Sequence, residues 1–583
     1  MQGSGTMPML LILLLLTLVH LNSSSPPPEP VTCTNDTVNC TVTNAYGSFP
    51  DSSICHAANV TYPSTEQELI AAVAAATAAK RKVKVATRYS HSIPKLVCPG
   101  GTDGTIISTI RLNRTVRIDT EKRIMTVESG MVLADLLQDA HEAGLSLVVS
   151  PYWYGLTIGG LLATGAHGSS LWGKGGAVHE YVVGMRIVTS APTSQGFAMV
   201  RELDAGHPDL DATKVSLGVL GVISQVTLAM QPLFKRSVTF VNRDELDLPA
   251  KIAVWGHLHE FGDIKWLPQE GKVIYRKDDR VDVSSPGNGL NSPLSFRSLP
   301  TSMIVAGRVE ADRLEKNGTD AERCESERQK FLTSQMLAFG LTNDGVNFTG
   351  YPVVGFQDRM QANGGCIHSP EDGLQSACAW DPRIRGNLFY NSGFSIPLSR
   401  TPAFIIDVQK LRDLNPTAFC ALYSSAGMYM RYVKASSAYL GKPVDSVDFD
   451  LVYYRSRTLG TPRAHADVID EVEQMALHKY GGVPHWGKGR NFAFDGAIAK
   501  YPKASMFLKV KDRYDPDGIF SSEWSDQVLG IKDSPSIVRK GCAIDGLCVC
   551  SDDLHCAPEQ GYVCRPGKVY TKARVCVFED GSS

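Results

Sequence analysis

The sequence predicts an α+β protein that is divided into several domains. Its 583 residues exceed what one compact core accommodates, and a hydrophobic content of 43% with a charged content of 20% is ordinary for a globular protein. Helical and strand-like patterns are mixed along the first half of the chain, and a segment rich in glycine interrupts them at residues 157–170. A formal net charge of −2 gives no basic surface, so we expect no nucleic-acid partner.

The N-terminus has the layout of a secretory signal peptide. Residues 10–21 form an apolar run that is shorter than the roughly 20 helical residues needed to cross a bilayer. Small polar residues follow directly, as they do at a cleavage site. Because no Lys or Arg precedes the apolar run, an uncleaved membrane anchor stays open as the alternative. We therefore expect a signal peptide at 1–25 and a protein of the secretory pathway, extracellular or vacuolar, without stable membrane insertion once this leader is removed.

Sequons and cysteines also indicate secretion, and with it a glycoprotein that contains disulfide bonds. Six asparagines stand in N-x-S/T sequons, which matter only in the secretory route: Asn35, Asn39, Asn59, Asn113, Asn317 and Asn347. The 14 cysteines are even in number and fall into clusters, the last of which holds six between Cys542 and Cys576. They predict disulfides, whose pairing the sequence leaves open. No metal site is expected, because the last cluster lacks paired C-x-x-C knuckles.

The elements before and after the glycine-rich segment can be placed in chain order. Ser64 followed by Gln67 forms a capping-box pattern for a helix that extends to Lys80. Residues 82–87 alternate as a strand does, and residues 115–130 predict a hairpin. A short amphipathic helix that stops at a glycine and two further strands complete the prediction: residues 131–144, 181–190 and 215–230.

The glycine-rich segment itself, TIGGLLATGAHGSS at 157–170, keeps one histidine, His167, among small residues. Glycine costs backbone entropy, so a cluster indicates special backbone angles or a large group that lies against the chain. A plain surface turn is the alternative interpretation.

Three motifs in this order resemble the FAD-binding domain of PCMH type in the vanillyl-alcohol oxidase superfamily. They are a loop that ends in His91-Ser92, the glycine-rich segment, and SLGVLGVISQVTL at 216–228. The resemblance implies two α+β subdomains that hold FAD between them, with backbone N–H groups around the pyrophosphate and glycines against the cofactor. The residues implied to bind FAD are Arg88, Tyr89, Ser90, His91, Ser92, Ile158, Gly159, Gly160, Thr164, Gly165, His167, Gly168, Gly218, Gly221 and Ile223.

The first of these loops departs from the family pattern. Where relatives have glycines before His-Ser, this chain has Arg88, Tyr89 and Ser90, so different backbone angles are expected there. Arg88 can in exchange offer its charge to the pyrophosphate. His91 matches the position at which some relatives bond covalently to the flavin, whereas others bind FAD without such a bond, and both states stay open.

The second half carries motifs that resemble the aldonolactone oxidase group of this superfamily. GGVPHWGKGRNF at 481–492 resembles the H-W-x-K signature of the group, and YDPDGIFSSEWSDQVLG at 514–530 resembles its C-terminal segment. The leader and the cysteine-rich tail are similar to those of the plant L-gulonolactone oxidases in this group. The domains expected from these motifs are a signal peptide at 1–25, a cysteine- and sequon-rich segment at 26–55, the FAD-binding domain at 56–235, an α+β substrate domain at 236–535 and a small disulfide-rich module at 540–583.

The resemblance implies FAD-dependent oxidation of an aldonolactone, L-gulono-1,4-lactone, at C2, with O2 as the acceptor and L-ascorbate and H2O2 as products. Lys488 and His485 of the H-W-x-K signature and Arg431 are the implied catalytic residues, since cations there hold substrate hydroxyls or offset charge on the reduced flavin. Arg431 matches the arginine of a Glu-x-Arg pair in relatives, but Tyr429 stands at the glutamate position. With an ordinary pKa of about 10, Tyr429 is expected to hydrogen-bond rather than to act as a base.

Two other functions stay open from the sequence. Tyrosine in place of glutamate is compatible with oxidation of another carbohydrate or a polyol. The altered pyrophosphate loop is compatible with a secreted flavin-binding protein of little turnover, with the cysteine-rich tail as an interaction module.

Overall fold

Three β-sheets carry the part of the chain that the computed structural model describes. That part comprises residues 30–42, 54–87, 94–361, 375–378, 389–422, 427–454, 456 and 458–579. The predicted signal peptide and the predicted cofactor-loop residues lie outside it: 1–25, Arg88, Tyr89, Ser90, His91 and Ser92. Within the described ranges, no helix has the length and apolar character required to cross a membrane.

The first sheet has five strands: β1 (Val31–Asn35), β2 (Val38–Val42), β3 (Cys55–Thr61), β4 (Val83–Val85) and β5 (Thr105–Ile107). Their spatial order is β1-β2-β3-β5-β4, in which β5 pairs in parallel with both β3 and β4. Parallel strands need a crossover connection, which here is helix α1 (Glu66–Ala78). Leu69 and Val73 of α1 share an apolar core with Val188 and Val222, so this helix joins the first sheet to the second.

Helix α1 is capped one residue later than the sequence pattern predicted. Thr65 is the N-cap, because its extended backbone allows its side chain to accept the Glu68 N–H. Glu68 accepts the Ser64 N–H at 2.8 Å, which is the role that the sequence assigned to Gln67. The capping-box prediction with Ser64 and Gln67 was therefore wrong by one position.

Seven strands follow in chain order: β6 (Thr115–Asp119), β7 (Ile124–Glu128), β8 (Leu145–Ser146), β9 (Val182–Ser190), β10 (Ala198–Asp204), β11 (Val222–Ala229) and β12 (Gln231–Pro232). Five of them form the antiparallel second sheet in the order β10-β9-β11-β7-β6, and β8 pairs with β12. The helices of this part are α2 (Leu133–Glu142), α3 (Ile158–Ala163) and α4 (Leu210–Thr213). The predicted hairpin over 115–130 is confirmed, as is the short helix that stops at Gly144, where φ is 76°.

The third sheet has eight strands and draws on a long stretch of sequence. The strands of this region are β13 (Lys235–Asp244), β14 (Asp263–Leu267), β15 (Lys272–Val281), β16 (Leu290–Asn291), β17 (Leu299–Pro300), β18 (Leu341–Thr342), β19 (Val353–Phe356), β20 (Ser376–Ala377), β21 (Phe389–Pro397), β22 (Met428–Val433), β23 (Ser446–Tyr454) and β24 (Val483–Pro484). The sheet order is β19-β13-β15-β14-β22-β23-β21-β24, while β16 pairs with β18 and β17 with β20. The helices of this region are α5 (Leu248–Lys251), α6 (Trp255–Leu258), α7 (Thr301–Asn317), α8 (Asp320–Met336), α9 (Gln357–Met360), α10 (Thr401–Leu414), α11 (Ala466–Gln474), α12 (Ala504–Tyr514) and α13 (Glu523–Val528).

The two faces of the third sheet differ in character because successive residues of a strand point to opposite sides. Ile264, Met430 and Phe449 are cross-strand neighbours within the apolar core, where helix α10 covers them. Asp263, Arg431 and Asp448 are also cross-strand neighbours, each displaced by one residue from the first set. They give the opposite face of the sheet a row of buried charges.

The cysteines of the described residues are all oxidised, as the sequence predicted. Six disulfides are formed: Cys33–Cys40, Cys55–Cys98, Cys324–Cys420, Cys542–Cys548, Cys550–Cys564 and Cys556–Cys576. Cys378 is also disulfide-bonded.

Three of these disulfides hold the C-terminal segment, which has a hairpin of β25 (Tyr562–Pro566) and β26 (Arg574–Phe578) as its regular structure. The segment is docked on helix α11. The buried Glu471 carboxylate accepts the backbone N–H groups of residues 568, 569 and 570, each at 2.7 Å. Bonds from N–H groups to a carboxylate are among the stronger hydrogen bonds, so Glu471 fixes the segment to the body of the protein.

Candidate active site

Some glycines of the predicted cofactor segment are required by the packing of the protein itself. A Cβ atom on Gly168 would lie 2.5 Å from Val149 Cγ1 and 2.6 Å from the Ser150 carbonyl oxygen. A Cβ atom on Gly221 would lie 2.5 Å from the carbonyl oxygen of Val188. For these two positions the structure corrects the interpretation that missing side chains make room for a cofactor, because neighbouring backbone already excludes a side chain.

Other residues of the set leave an open surface, which we call the glycine strip: Gly160, Thr164, Gly165 and Gly218. Gly160 is exposed. Among the described residues, a Cβ atom on Gly160 would have one neighbour within 4 Å, Thr157 Oγ1 at a distance of 3.1 Å. Gly165 and Gly218 have φ of 66° and 65°, which L side chains rarely adopt. The Leu217 N–H bonds to the Ala163 carbonyl and so holds the two parts of the strip together.

The glycine strip fits a flat, polar cofactor such as FAD. Its surface is bare backbone, to which a planar ring or a diphosphate can approach closely. Ser129, which a Cβ on Gly159 would approach to 3.2 Å, has a buried hydroxyl oxygen without a hydrogen-bond partner among the described residues. Buried hydroxyls normally form hydrogen bonds, and a group bound on the strip would supply the missing partner of Ser129.

Two residues predicted to bind the cofactor are not brought to the strip. Ile158 and Ile223 lie in the apolar core, and the Ile158 N–H is bonded to the Met131 carbonyl at 2.9 Å. The backbone N–H of Gly159, another predicted cofactor-binding residue, likewise donates to the Ser129 carbonyl oxygen within the protein.

His167 joins the glycine-rich segment to the polar face of the third sheet. Its Nδ1 lies 2.9 Å from the Gly168 carbonyl oxygen, and its Nε2 lies 3.4 Å from Asp448 Oδ2. Its own carbonyl oxygen accepts a hydrogen bond from Arg431 Nη1 at 3.3 Å. Burial lowers the pKa of His167, and the Asp448 charge opposes this effect. His167 thus connects the two halves of the site.

Arg431 and Lys488, the two cations predicted from the sequence, are brought together by one carboxylate. Arg431 Nη2 donates to both Asp448 and Asp450, and Lys488 Nζ donates to Asp450 Oδ1 at 2.6 Å. Burial lowers the pKa of Lys488, and Asp450 acts in the opposite direction. Burial would raise the pKa of Asp448, but its close contacts with His167, Lys442 and Arg431 hold that pKa well below its usual range.

The H-W-x-K loop lies against the glycine strip. A Cβ on Gly487 would come within 3.4 Å of Thr164. His485 accepts the Gly487 N–H on Nδ1 at 3.0 Å, and its ring centroid lies 5.3 Å from that of His167. Burial holds the pKa of His485 well below its usual range. The structure therefore places His485 as a neutral side chain that shapes the loop which carries Lys488.

A small cleft opens between Thr164 and Gly165 of the strip and His485 and Trp486 of this loop. Its lining combines glycine-segment residues with residues of the third sheet and the loop: Thr164, Gly165, Ala177, His179, Val433, Ser436, Leu440, Gly441, Lys442, His485, Trp486 and Tyr501. The cleft is thus bounded by both parts of the predicted site.

Tyr429 belongs to a second cluster on the same polar face, which the sequence analysis did not find. Its hydroxyl donates to Asp263 Oδ2 at 3.1 Å, and the Tyr152 hydroxyl donates to the same oxygen at 2.5 Å. Burial raises the pKa of both phenols, so both are protonated at neutral pH. The two tyrosine rings are half-buried, whereas Asp263 behind them is 1% exposed.

The carboxylates of the polar face were missed as site residues. Asp448 and Asp450 stand in the segment DFDLVYY, where charge alternates with apolar residues along strand β23. A carboxylate at every second position of an otherwise apolar strand is a detectable signal for a buried polar face. Asp263 and Tyr152 carry no comparable signal, since they are 111 residues apart in the sequence.

Solved structures share this fold. The "Solvent-stable cholesterol oxidase" superposes with a TM-score of 0.63 at 15% identity and covers 87% of this chain and all of its own. The "Chitooligosaccharide oxidase" superposes with a TM-score of 0.53 at 13% identity and covers 85% of this chain and 96% of its own. These likenesses, together with the match of residues 57–193 to an FAD binding domain, confirm the predicted α+β fold, with a two-subdomain FAD-binding domain of PCMH type, an α+β substrate domain and a small disulfide-rich C-terminal segment.

Family models match three consecutive parts of the chain. Residues 57–193 match the FAD binding domain, residues 384–528 match D-arabinono-1,4-lactone oxidase, and residues 539–578 match the C-terminal domain described as L-gulonolactone oxidase 2-like. The fold and the site therefore define an FAD-dependent oxidoreductase, and FAD is its cofactor.

The relatives narrow this class to one family. "L-gulonolactone oxidase 2" of Arabidopsis thaliana is 53% identical over 95% of this chain and 94% of its own, and "L-gulonolactone oxidase 3" of the same organism is 45% identical over 94% of each. "L-gulonolactone oxidase" of Bos taurus is 23% identical over 80% of this chain and 94% of its own. The chain belongs to the L-gulonolactone oxidase family.

Proposed function

We propose that the protein oxidises the C2 hydroxyl of an aldonolactone, L-gulono-1,4-lactone, with O2 as the acceptor and L-ascorbate and H2O2 as products. The observation that carries the proposal is the pair of cations, Arg431 and Lys488, which one carboxylate joins on a sheet face that meets the glycine strip. The relative "L-gulonolactone oxidase 2", whose name gives this oxidation, matches this chain over 94% of its own length. When bound, FAD supplies the hydride acceptor.

The chain's own residues bind and orient the lactone. Arg431 is 5% exposed and Lys488 is largely buried, so their charges act in a region that excludes most water. Such fixed cations stabilise negative charge that develops on substrate oxygens, because they need no reorganisation during the reaction. The bond of Asp450 to both cations fixes their separation before the substrate arrives.

Purified protein tests this function directly. We expect H2O2 release from L-gulono-1,4-lactone, together with the absorbance of one bound flavin per chain. Acid precipitation separates the two states left open for His91, since only a covalent flavin stays with the pellet. A flavin-loaded protein that yields no peroxide from aldonolactones would contradict the proposal.

Oxidation of another carbohydrate or of a polyol is a second candidate, which the replacement of glutamate by Tyr429 favours. The same peroxide assay with polyols and other sugar lactones distinguishes the two. A kcat/KM for a polyol above that for every lactone would favour this second candidate.

We also propose that the protein enters the secretory pathway as a glycoprotein and acts outside the cell or in the vacuole. The six described disulfides support this, because such bonds persist in oxidising compartments. Expression of the full chain in a eukaryotic host, followed by analysis of the medium and of the mature N-terminus, tests both the route and the cleavage near residue 25.

A further inference from the structure

The buried Asp263 carboxylate is bound by two tyrosine hydroxyls and is not held in a close ion pair. Its Oδ2 accepts two phenol hydroxyls, from Tyr152 and Tyr429, and lies 3.5 Å from Arg276 Nη1. Arg276 has a closer partner, since its Nε lies 2.7 Å from Asp278 Oδ2. The phenols, rather than the arginine, are therefore the nearest contacts of this carboxylate.

Tyr429 lies on the same sheet face as Asp263 and Arg431 and beside the carboxylate that binds both cations. In the third sheet it is the cross-strand neighbour of Asp450, which bonds both Arg431 and Lys488. Asp263 is the cross-strand neighbour of Arg431 on the other side. The side chain of Tyr429 thus lies on the same face as both cations and, unlike Asp263, is half-buried rather than enclosed.

We propose that Asp263, acting through the Tyr429 hydroxyl, accepts the proton that the lactone hydroxyl loses during oxidation; this inference rests on the proposed function. The substrate O–H bond breaks and its proton binds to Tyr429 Oη, while the proton of Tyr429 moves along the existing hydrogen bond to Asp263 Oδ2. The phenol is neutral before and after, and the carboxylate becomes a carboxylic acid. FAD, when bound, would accept the hydride from C2, and a C2 carbonyl would remain, so protons and electrons balance.

The charged and titratable groups around Asp263 suit this role. Burial raises the pKa of Asp263 from its ordinary value of 3.8, and Arg276 limits the rise. Asp278 adds to the rise, the two phenols oppose it, and Lys265 lies two residues further along β14. A carboxylate whose pKa is raised toward the working pH is a better proton acceptor. Burial and the Asp263 charge raise the pKa of Tyr429, so it passes a proton on but does not itself act as a base.

This arrangement also places the Asp263 carboxylate within hydrogen-bond distance of Tyr429, the position at which the sequence lacks the expected glutamate. The resemblance drawn from the sequence implies a glutamate at the position of Tyr429. Asp263 reaches the same face from the neighbouring strand, with the phenol as the bridge. We assign Asp263 as a positioning residue and proton acceptor, and Tyr152 as the second donor that fixes its orientation.

The test compares Asp263→Asn, Tyr429→Phe and the double variant in the flavin-loaded protein. We expect each single variant to lower kcat by about 10²-fold with little change in KM, because both remove the same proton path. The double variant should lose no more than either single one, whereas independent structural roles would multiply. The parent should lose kcat at low pH as Asp263 becomes protonated, and Asp263→Asn should lack this acidic limb.

Asp407→Asn is the matched control. Asp407 is also a buried carboxylate that accepts a phenol, from Tyr480 at 2.5 Å, but it lies on helix α10 behind the sheet. Its kcat and pH profile should follow those of the parent. Flavin content and the midpoint of thermal unfolding, measured for every variant, show whether a loss of rate reflects a loss of folding.

Phenolate absorbance gives a readout that needs no turnover. The spectral difference between the parent and Tyr429→Phe reports the ionisation of Tyr429, and the same difference in the Asp263→Asn background should appear at lower pH, because a negative charge has been removed. An unchanged titration, or an Asp263→Asn variant with parent-like kcat and acidic limb, overturns the relay while lactone oxidation by the parent still supports the proposed function. A parent without peroxide release overturns the proposed function instead, and the titration then decides whether Asp263 governs the phenol.

Discussion

At the scale of single residues, Lys488 is the predicted cation whose role is most directly testable. It is held 2.6 Å from Asp450 Oδ1 on the face that meets the glycine strip. Loss of one preorganised electrostatic contact typically costs about 10²–10³-fold in turnover. We expect Lys488→Met to keep its flavin and to lose that much of its peroxide release from L-gulono-1,4-lactone.

A matched control for Lys488→Met lies in the same sheet. Lys272 forms a similar pair with Asp244 at 2.5 Å, but both side chains are largely exposed. Lys272→Met should therefore turn over the lactone as the parent does. If Lys488→Met does the same, the assignment of Lys488 to the site is wrong.

Asp450 gives a prediction on pH dependence at the same scale. Burial lowers the pKa of Lys488, the Asp450 charge raises it, and Arg431 lowers it again. Asp450→Asn removes the larger of the two carboxylate effects that keep Lys488 protonated, the other being that of Asp448, so the pKa of Lys488 falls further. The alkaline limb of kcat/KM should move to lower pH than in the parent, as measured by peroxide release across a pH series. A limb that stays in place would show that Asp450 does not govern the charge of Lys488.

At the scale of elements, the glycine strip predicts a separation of cofactor binding from folding. A Cβ on Gly160 comes close only to Thr157 Oγ1, at 3.1 Å, so a small shift of that hydroxyl lets Gly160→Val fold, and its side chain obstructs a group lying on the strip. We expect lower flavin content, measured by the absorbance ratio of flavin to protein, with little change in the thermal midpoint. Gly307→Val, at another exposed glycine with open space around it, is the control and should keep its flavin. Full flavin occupancy in Gly160→Val would place the cofactor elsewhere.

Elements that depend on local sequence could be predicted, whereas the site clusters depend on tertiary contacts. The hairpin over 115–130 and the helix that ends at Gly144 follow from alternation and a C-terminal glycine, which are local signals. The cap of helix α1 was misplaced, because Ser64 and Thr65 are both good caps and only the backbone angles distinguish them. The pair of Tyr152 and Asp263 forms because β14 packs beside the chain that leads into the glycine-rich segment, and no pattern in one sequence reveals that contact.

At the scale of the whole molecule, the exposure of the six sequons differs within the folded protein. Five of the asparagines are exposed, two in the edge hairpin of β1 and β2, one at a helix end and two in loops: Asn35, Asn39, Asn317, Asn113 and Asn347. Asn59 is different, since it lies within strand β3 between β2 and β5, and its side-chain oxygen is buried.

This difference predicts which sequons carry glycans if the proposed secretory route is correct. A glycan is bulky and hydrophilic, so it fits the five exposed asparagines but lacks room at the half-buried Asn59, whose side-chain oxygen is enclosed. Enzymatic removal of N-glycans from the secreted protein converts each modified asparagine to aspartate, which peptide mass spectrometry detects. We expect conversion among the five exposed sites and none at Asn59. The Asn59→Gln variant should be secreted with unchanged electrophoretic mobility, whereas Asn347→Gln should migrate faster. Conversion at Asn59 would contradict the burial argument, and the absence of conversion at every site would contradict the secretory route itself.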